Sequence, residues 1–295
     1  MIDFSKINLD TKQFEKIVKL VEKNQQTNEG CQLHNHWEKF SQANFDNIVE
    51  AEGKFAAMSW LGHGYPEKTS ERSNQTDRFG LASEFVDLDT LDIQSGLYQF
   101  YKIVNFFKNN DLTFLKSKGI KVIEVGGGYG RLAMFFLKYF GIKCHYVSVD
   151  FVPTSLAFAP QVIEQSFPEM KVLGTLAPKT KGKKIEDYNF VSLPAWEIDK
   201  LKDETYDLAI NIHSFQEMLK PSFKFYTEQF SRLLKPEGVF YNINNPPDTG
   251  NGYAEQAWYE LEDFFVTKSK ETYPFGDDWV KICGVPTLER FLTKK

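Results

Sequence analysis

The sequence predicts an α/β fold, a nucleotide-binding sheet of mainly parallel strands preceded by a helical extension. One observation is the run Lys121 to Val125, rich in β-branched residues, which leads directly into Gly126-Gly-Gly-Tyr-Gly130. Another is that Arg131 to Lys138 then resumes as a strongly apolar helix. Strand, glycine turn and helix form the opening unit of such sheets. Glycine permits the tight turn, and the free N–H groups of the helix start face whatever ligand lies above it. A third observation is that residues 1–115 carry helical spacing but no glycine-rich turn flanked by strands.

The extension comes first. Thr11 to Lys23 places Phe14, Ile17, Val18 and Val21 on one helical face. Asn24 to Gly30 reads as a polar loop, and two further helical stretches follow, from Leu33 and from Glu50 to Trp60. Leu61 to Pro66 is a turn, and Glu67 to Gly80 is a polar segment. Ser95 to Asn109 is again helical, with Leu97, Phe100, Tyr101, Val104 and Phe107 on its apolar face. The chain then divides into this extension, 1–115, and a core, 116–295.

Within the core, the first strand is Lys121 to Val125 and the second Cys144 to Asp150, which ends in an acid. Gln161 to Met170 is expected as a helix, Pro178 to Lys184 as a basic solvated loop, and Tyr188 to Ser192 as the third strand. Tyr206 to Ile212 is a fourth, buried strand. A helix is expected directly after it, placing His213 and Glu217 one turn apart on one face. Pro221 to Leu234 is helical, Gly238 to Asn245 is the fifth strand, and the last strands are expected at Trp258 to Phe265 and Trp279 to Cys283.

Composition narrows the classes. With 42% hydrophobic and 25% charged residues in 295, a sizeable core is affordable. A net charge of −5 argues against a nucleic-acid partner. Cys31, Cys144 and Cys283 are odd in number and lack metal spacing, as suits a reducing cytoplasm. The N-terminus lacks a secretory pattern, and no apolar run approaches the ~18 residues that span a bilayer, so membrane contact would be peripheral. His34 and His36 are two apart, poor spacing for a metal. His63 sits in a Gly-His-Gly turn.

The glycine pattern admits two ligands. Gly128-x-Gly130-x-x-Ala133, with Asp150 about 20 residues on, also fits a dinucleotide and hence an NAD(P)-dependent oxidoreductase. Glu124, two residues before the first glycine, separates the readings. An acid there suits a ligand carrying a cation and would repel a pyrophosphate. Together with Leu233-Leu-Lys-Pro-Glu-Gly-Val-Phe240, these motifs resemble a class I S-adenosylmethionine-dependent methyltransferase.

The resemblance implies a Rossmann-like, seven-stranded sheet with S-adenosylmethionine at Glu124, Gly126, Gly128 and Gly130. It implies that Asp150 bonds the ribose hydroxyls, with Phe151 and Trp196 beside the adenosine. The extension would then shape the acceptor pocket. More narrowly, Glu124 to Ala133 followed by Asn211-Ile-His-Ser-Phe-Gln-Glu-Met218 is similar to sugar O-methyltransferases among bacterial surface-polysaccharide enzymes. That likeness spans about 120 to 245. It implies a glycan or other small-molecule acceptor, and it places His213 and Glu217 as the catalytic pair beside the methyl group. A non-catalytic partner subunit with this fold is a third reading. A divalent metal, at Asp248, Asp277 or Asp278, has no support from spacing, and nothing in the sequence sets the oligomeric state.

Overall fold

The computed structural model describes residues 7, 10–25, 91–110, 119–177, 184–218, 220–245, 257–274 and 286–295. Its centre is one mixed sheet of eight strands. In chain order these are β1 (Ile120–Val125), β2 (Cys144–Asp150), β3 (Val172–Leu173), β4 (Phe190–Pro194), β5 (Tyr206–Ile212), β6 (Leu234–Asn244), β7 (Phe265–Thr272) and β8 (Leu288–Lys294). Across the sheet the order is β3-β4-β2-β1-β5-β6-β8-β7. Strands β3 to β6 are parallel, and β8 inserts antiparallel between β6 and β7. The order reverses between β1 and β5, which opens a ligand crevice at their carboxyl ends.

The expected seven strands are therefore eight. The extra one is the two-residue β3, which pairs with β4 through Val172 and Leu173. It is too short to leave a period in the sequence.

The helices are α1 (Thr11–Gln25), α2 (Leu91–Asn109), α3 (Arg131–Phe140), α4 (Pro153–Ser166), α5 (Lys220–Leu233) and α6 (Ala257–Phe264). Asp10 starts α1 by accepting the Lys12 N–H at 3.0 Å. Phe14, Ile17 and Val21 are buried, as their spacing predicts, and Phe14 stacks on Phe158 of α4. On α2, Leu97, Phe100, Ile103 and Phe107 are buried. Phe100 meets Phe135 and Phe136 of α3, and Phe106 stacks on Phe291 of β8 at 4.2 Å. The described helices of the extension thus complete the core rather than stand beside it.

Several boundaries move, each for a local reason. Helix α4 starts at Pro153, eight residues before the expected Gln161, with proline in its first turn. It stops before Pro168, which drives Phe167 out of the helical region. Pro160 lies inside it and donates nothing to Leu156 four residues back. That carbonyl is served instead by the hydroxyls of Thr175 at 3.1 Å and Ser192 at 3.4 Å. Strand β4 begins at Phe190 rather than Tyr188. The Asn189 side chain instead bridges the Ile142 and Cys144 carbonyls and the Lys171 N–H.

Strand β6 begins at Leu234, before the Lys-Pro-Glu-Gly turn. The register then jumps from Tyr206–Leu234 to Leu208–Val239, so the turn is absorbed as a bulge. The segment expected as a strand from Trp258 is α6, and β7 follows at Phe265. Trp258, Leu261 and Phe264 recur at helical spacing, whereas β7, Phe-Val-Thr-Lys-Ser-Lys-Glu-Thr, is an edge strand exposed along most of its length. Charge on an edge guards it against further pairing, and it also hides the strand from a hydrophobic pattern. The expected strand Trp279 to Cys283 lies outside the described residues.

Candidate active site

Gly126 follows β1, and its N–H reaches across to the Val149 carbonyl of β2 at 2.9 Å. Gly126, Gly128 and Gly130 all have left-handed backbone, with φ of 79°, 55° and 88°. Side chains are strained in that region, which explains the alternate glycines. Gly127 has a different reason. A Cβ there would lie 2.3 Å from Ser148 Oγ and 2.8 Å from Glu124 Oε2. The sequence treats it as a spacer, but the fold leaves it no room. A Cβ on Gly126 would fall 2.5 Å from Ser214, so the turn also abuts the chain leaving β5.

Two buried carboxylates flank this turn. Glu124 accepts a hydrogen bond from the Tyr146 hydroxyl at 2.6 Å. Burial pushes Glu124 up to about 7, while that bond and the Arg131 cation pull it down. Asp150 accepts N–H bonds from Phe151 at 2.8 Å and Val152 at 2.9 Å through Oδ1, and from Gly128 at 3.3 Å through Oδ2. Burial still raises it to about 6. Both acids stand where ionisation is costly, an environment that a cationic ligand relieves. A group carrying positive charge and ribose hydroxyls therefore fits this donor set. Phe151 is buried in the core beneath, and Trp196 is half-buried against it.

The carboxyl end of β5 is held differently, by neutral side chains. Asn211 is fully buried and uses its whole capacity. It donates to the Val125 carbonyl at 3.0 Å and to Ser214 Oγ at 2.6 Å. It accepts from the Phe215 N–H at 3.1 Å and from Asn244 Nδ2 at 2.9 Å. Asn244 in turn takes the Gln216 N–H, Gln216 takes the Asn245 N–H, and Asn245 takes the Thr287 hydroxyl. The sequence reading misses this ladder. Its signal is an asparagine at or near the carboxyl end of each of two neighbouring strands, Asn211 in β5 and Asn244 in β6.

His213 opens the bend after β5. Its φ is 56°, and among the described residues the other non-glycine residue with positive φ is Glu204. Its N–H donates to the Ile243 carbonyl at 2.7 Å. This overturns the expected helix from His213 to Glu217, because a left-handed residue breaks helical continuity. A short 3₁₀ turn, Phe215–Glu217, stands there instead, so the two residues do not share a helical face. The Glu217 side chain, Asp248, Asp277, Asp278 and the three histidines His34, His36 and His63 lie outside the described residues. Among the described residues, no group of His, Cys, Asp and Glu is set to hold a metal, and no helix is long and apolar enough to cross a membrane.

One more polar chain reaches this corner from α2. Arg131, buried at the start of α3, donates to Ser95 at 3.2 Å and to Gln99 at 3.1 Å. Gln99 donates to the Tyr273 hydroxyl at 2.7 Å. The Tyr273 ring meets that of His213 edge-on at 5.7 Å.

The comparisons with known proteins agree with this geometry. Residues 116–257 match the family model described as a methyltransferase domain. No curated protein matches the chain. Among solved structures, the chain is similar to geranyl diphosphate C-methyltransferase from Streptomyces coelicolor A3(2). That likeness has 11% identity over 60% of this chain and 73% of the other, with a TM-score of 0.46. An S-adenosylmethionine-dependent methyltransferase from Aquifex aeolicus shares 16% identity, over 65% and 88%, with a TM-score of 0.44. These likenesses are distant, and nothing about this chain's acceptor follows from them. Residues 116–257, just under half of the chain, are thus similar to a methyltransferase domain, and the glycine turn and strand-end acids suit S-adenosylmethionine as the cofactor.

Proposed function

We propose that the protein transfers a methyl group from S-adenosylmethionine to a sugar hydroxyl of a glycan or sugar nucleotide, with His213 as general base. The observation that carries this reading is the left-handed backbone of His213 at the carboxyl end of β5. Such a conformation costs about 1–3 kcal/mol and persists only where the surroundings impose it. Here the 2.7 Å bond to Ile243 and the Asn211 ladder do so. The strain turns the chain beside the glycine turn, since Ser214 is the residue that abuts Gly126.

Glu124, Gly126, Gly128, Gly130, Asp150, Phe151 and Trp196 would hold the cofactor. When bound, it supplies an activated methyl group on a sulfonium. A sugar hydroxyl is a weak nucleophile, so its proton should leave as the methyl transfers. Histidine is the side chain best suited to accept that proton near neutral pH. The short motif from Asn211 to Met218, similar to sugar O-methyltransferases, is what favours a sugar over other acceptors.

The test has two parts. Calorimetric titration should show that S-adenosylmethionine and S-adenosylhomocysteine bind and NAD does not. Mass spectrometry of surface glycans from cells with and without the gene should show a methyl ether that disappears. With that acceptor in hand, His213→Gln should lower turnover by about 100-fold or more and leave cofactor affinity nearly unchanged. Retained turnover removes His213 as the base. An unchanged glycan profile removes the sugar.

A further inference from the structure

We infer that Tyr273 is a positioning residue for His213, and that α2 of the N-terminal segment sets it in place. This rests on the reading of His213 as the base. Tyr273 lies one residue beyond β7, with its backbone N–H bonded to the Thr287 carbonyl at 2.9 Å. It is almost fully buried and joins three separate pieces of chain. Its hydroxyl accepts the amide of Gln99 at 2.7 Å, and its ring lies 5.9 Å from that of Tyr98, also on α2. Its other side meets the imidazole of His213 at 5.7 Å and 61°, an edge-on contact. Such contacts favour one orientation of each ring over the others.

The placement is over-determined from the α2 side. Gln99 cannot turn freely, because its oxygen takes the Arg131 guanidinium at 3.1 Å. Arg131 also holds Ser95, and a Cβ on Gly96 would press on the Arg131 side chain at 3.0 Å. Tyr98 is fixed in turn by Glu289 of β8, at 2.9 Å. The charged groups that act on Tyr273 include Arg131 and Glu289. The tyrosine ring carries the position from α2 to the imidazole. The extension thereby acts on the chemistry as well as completing the core.

The experiment reads the imidazole directly and needs no acceptor. His213 would be followed by histidine-selective ¹⁵N nuclear magnetic resonance in the full chain with S-adenosylhomocysteine, against pH, in wild type, Tyr273→Leu, Tyr273→Phe and Gln99→Met. Wild type should give one sharp set of ring signals from a single tautomer. Tyr273→Leu removes the ring and should mix the tautomers and move the His213 titration by about half a pH unit or more. Tyr273→Phe keeps the ring but loses the hydroxyl that takes the Gln99 amide, and should fall between wild type and Tyr273→Leu. Gln99→Met loosens the tyrosine and should fall between. If Tyr273→Leu does not fold, Gln99→Met alone decides. An imidazole unchanged in every folded variant overturns the inference. That outcome is separate from the turnover of His213→Gln, which judges only the base.

Discussion

The two sides of the crevice are built on opposite plans. On the β1–β2 side, the wall is backbone, a turn of three left-handed glycines flanked by two buried acids. On the β5–β6 side, it is a chain of neutral side chains, Asn211, Asn244, Gln216, Asn245 and Thr287, each satisfied by the next. The first side carries charge that burial penalises, and so waits for a compensating ligand. The second carries dipoles already paired, and so is rigid before anything binds. A cofactor of fixed chemistry suits the first plan. An acceptor that must be aligned with a methyl group suits the second.

The contrast is broken most severely at Gly127. Gly127→Val should abolish cofactor binding and lower the melting temperature, because its Cβ would meet Ser148 Oγ at 2.3 Å and Glu124 Oε2 at 2.8 Å and so displace the acid that flanks the turn. Calorimetry and thermal unfolding check both effects. A variant that binds S-adenosylhomocysteine as wild type does would show that the turn can reshape.

Asn211→Leu attacks the other side. It strips partners from the Phe215 N–H and the Asn244 amide, while the Val125 carbonyl keeps the Ser214 hydroxyl. Each buried group left unmade costs about 1–3 kcal/mol, so a loss on the order of 3 kcal/mol is expected in urea unfolding. A loss under ~1 kcal/mol, against that same scale, would mean the ladder is replaceable by packing.

The smallest effect is a pH dependence. Glu124 is raised from 4.5 to about 7 in the fold. The folded apoprotein therefore binds more protons than the unfolded chain between those values, and its stability falls as pH rises through that window. Asp150, raised from 3.8 to about 6, adds in the same direction at lower pH. Glu124→Gln should flatten the upper part of that slope, by roughly 2 kcal/mol between pH 5 and 8. A cationic ligand favours the ionised acid, so S-adenosylmethionine affinity should rise with pH over the same range in wild type and less in the variant. Urea midpoints and calorimetry at the two pH values check this. Equal slopes would place the ionisable group elsewhere.

The first plan was legible in the sequence because backbone conformation selects residue type locally. Left-handed φ demands glycine, and a strand end beside a crevice shows its acid at a fixed offset. Gly126, Gly128, Gly130, Glu124 and Asp150 could all be named for that reason. Strands β2 and β5 matched residue for residue, β2 from its alternation ending in an acid and β5 from its mainly apolar run.

What the sequence alone determined, then, is the α/β class, the glycine turn and its flanking acids, and the apolar faces of α1 and α2. The tertiary structure alone decided the eighth strand, the antiparallel insertion of β8, the crowding at Gly127 and the bend at His213. It also decided the ties from Asn211 to Asn244, 33 residues apart, and from Gln99 to Tyr273, 174 apart. The physical reason is range. A left-handed φ or a proline stop is set by the residue and its neighbours, and so is written at that position. A hydrogen bond between distant strands is set by where the sheet brings them, and an asparagine or tyrosine carries no mark of its partner until the chain has folded.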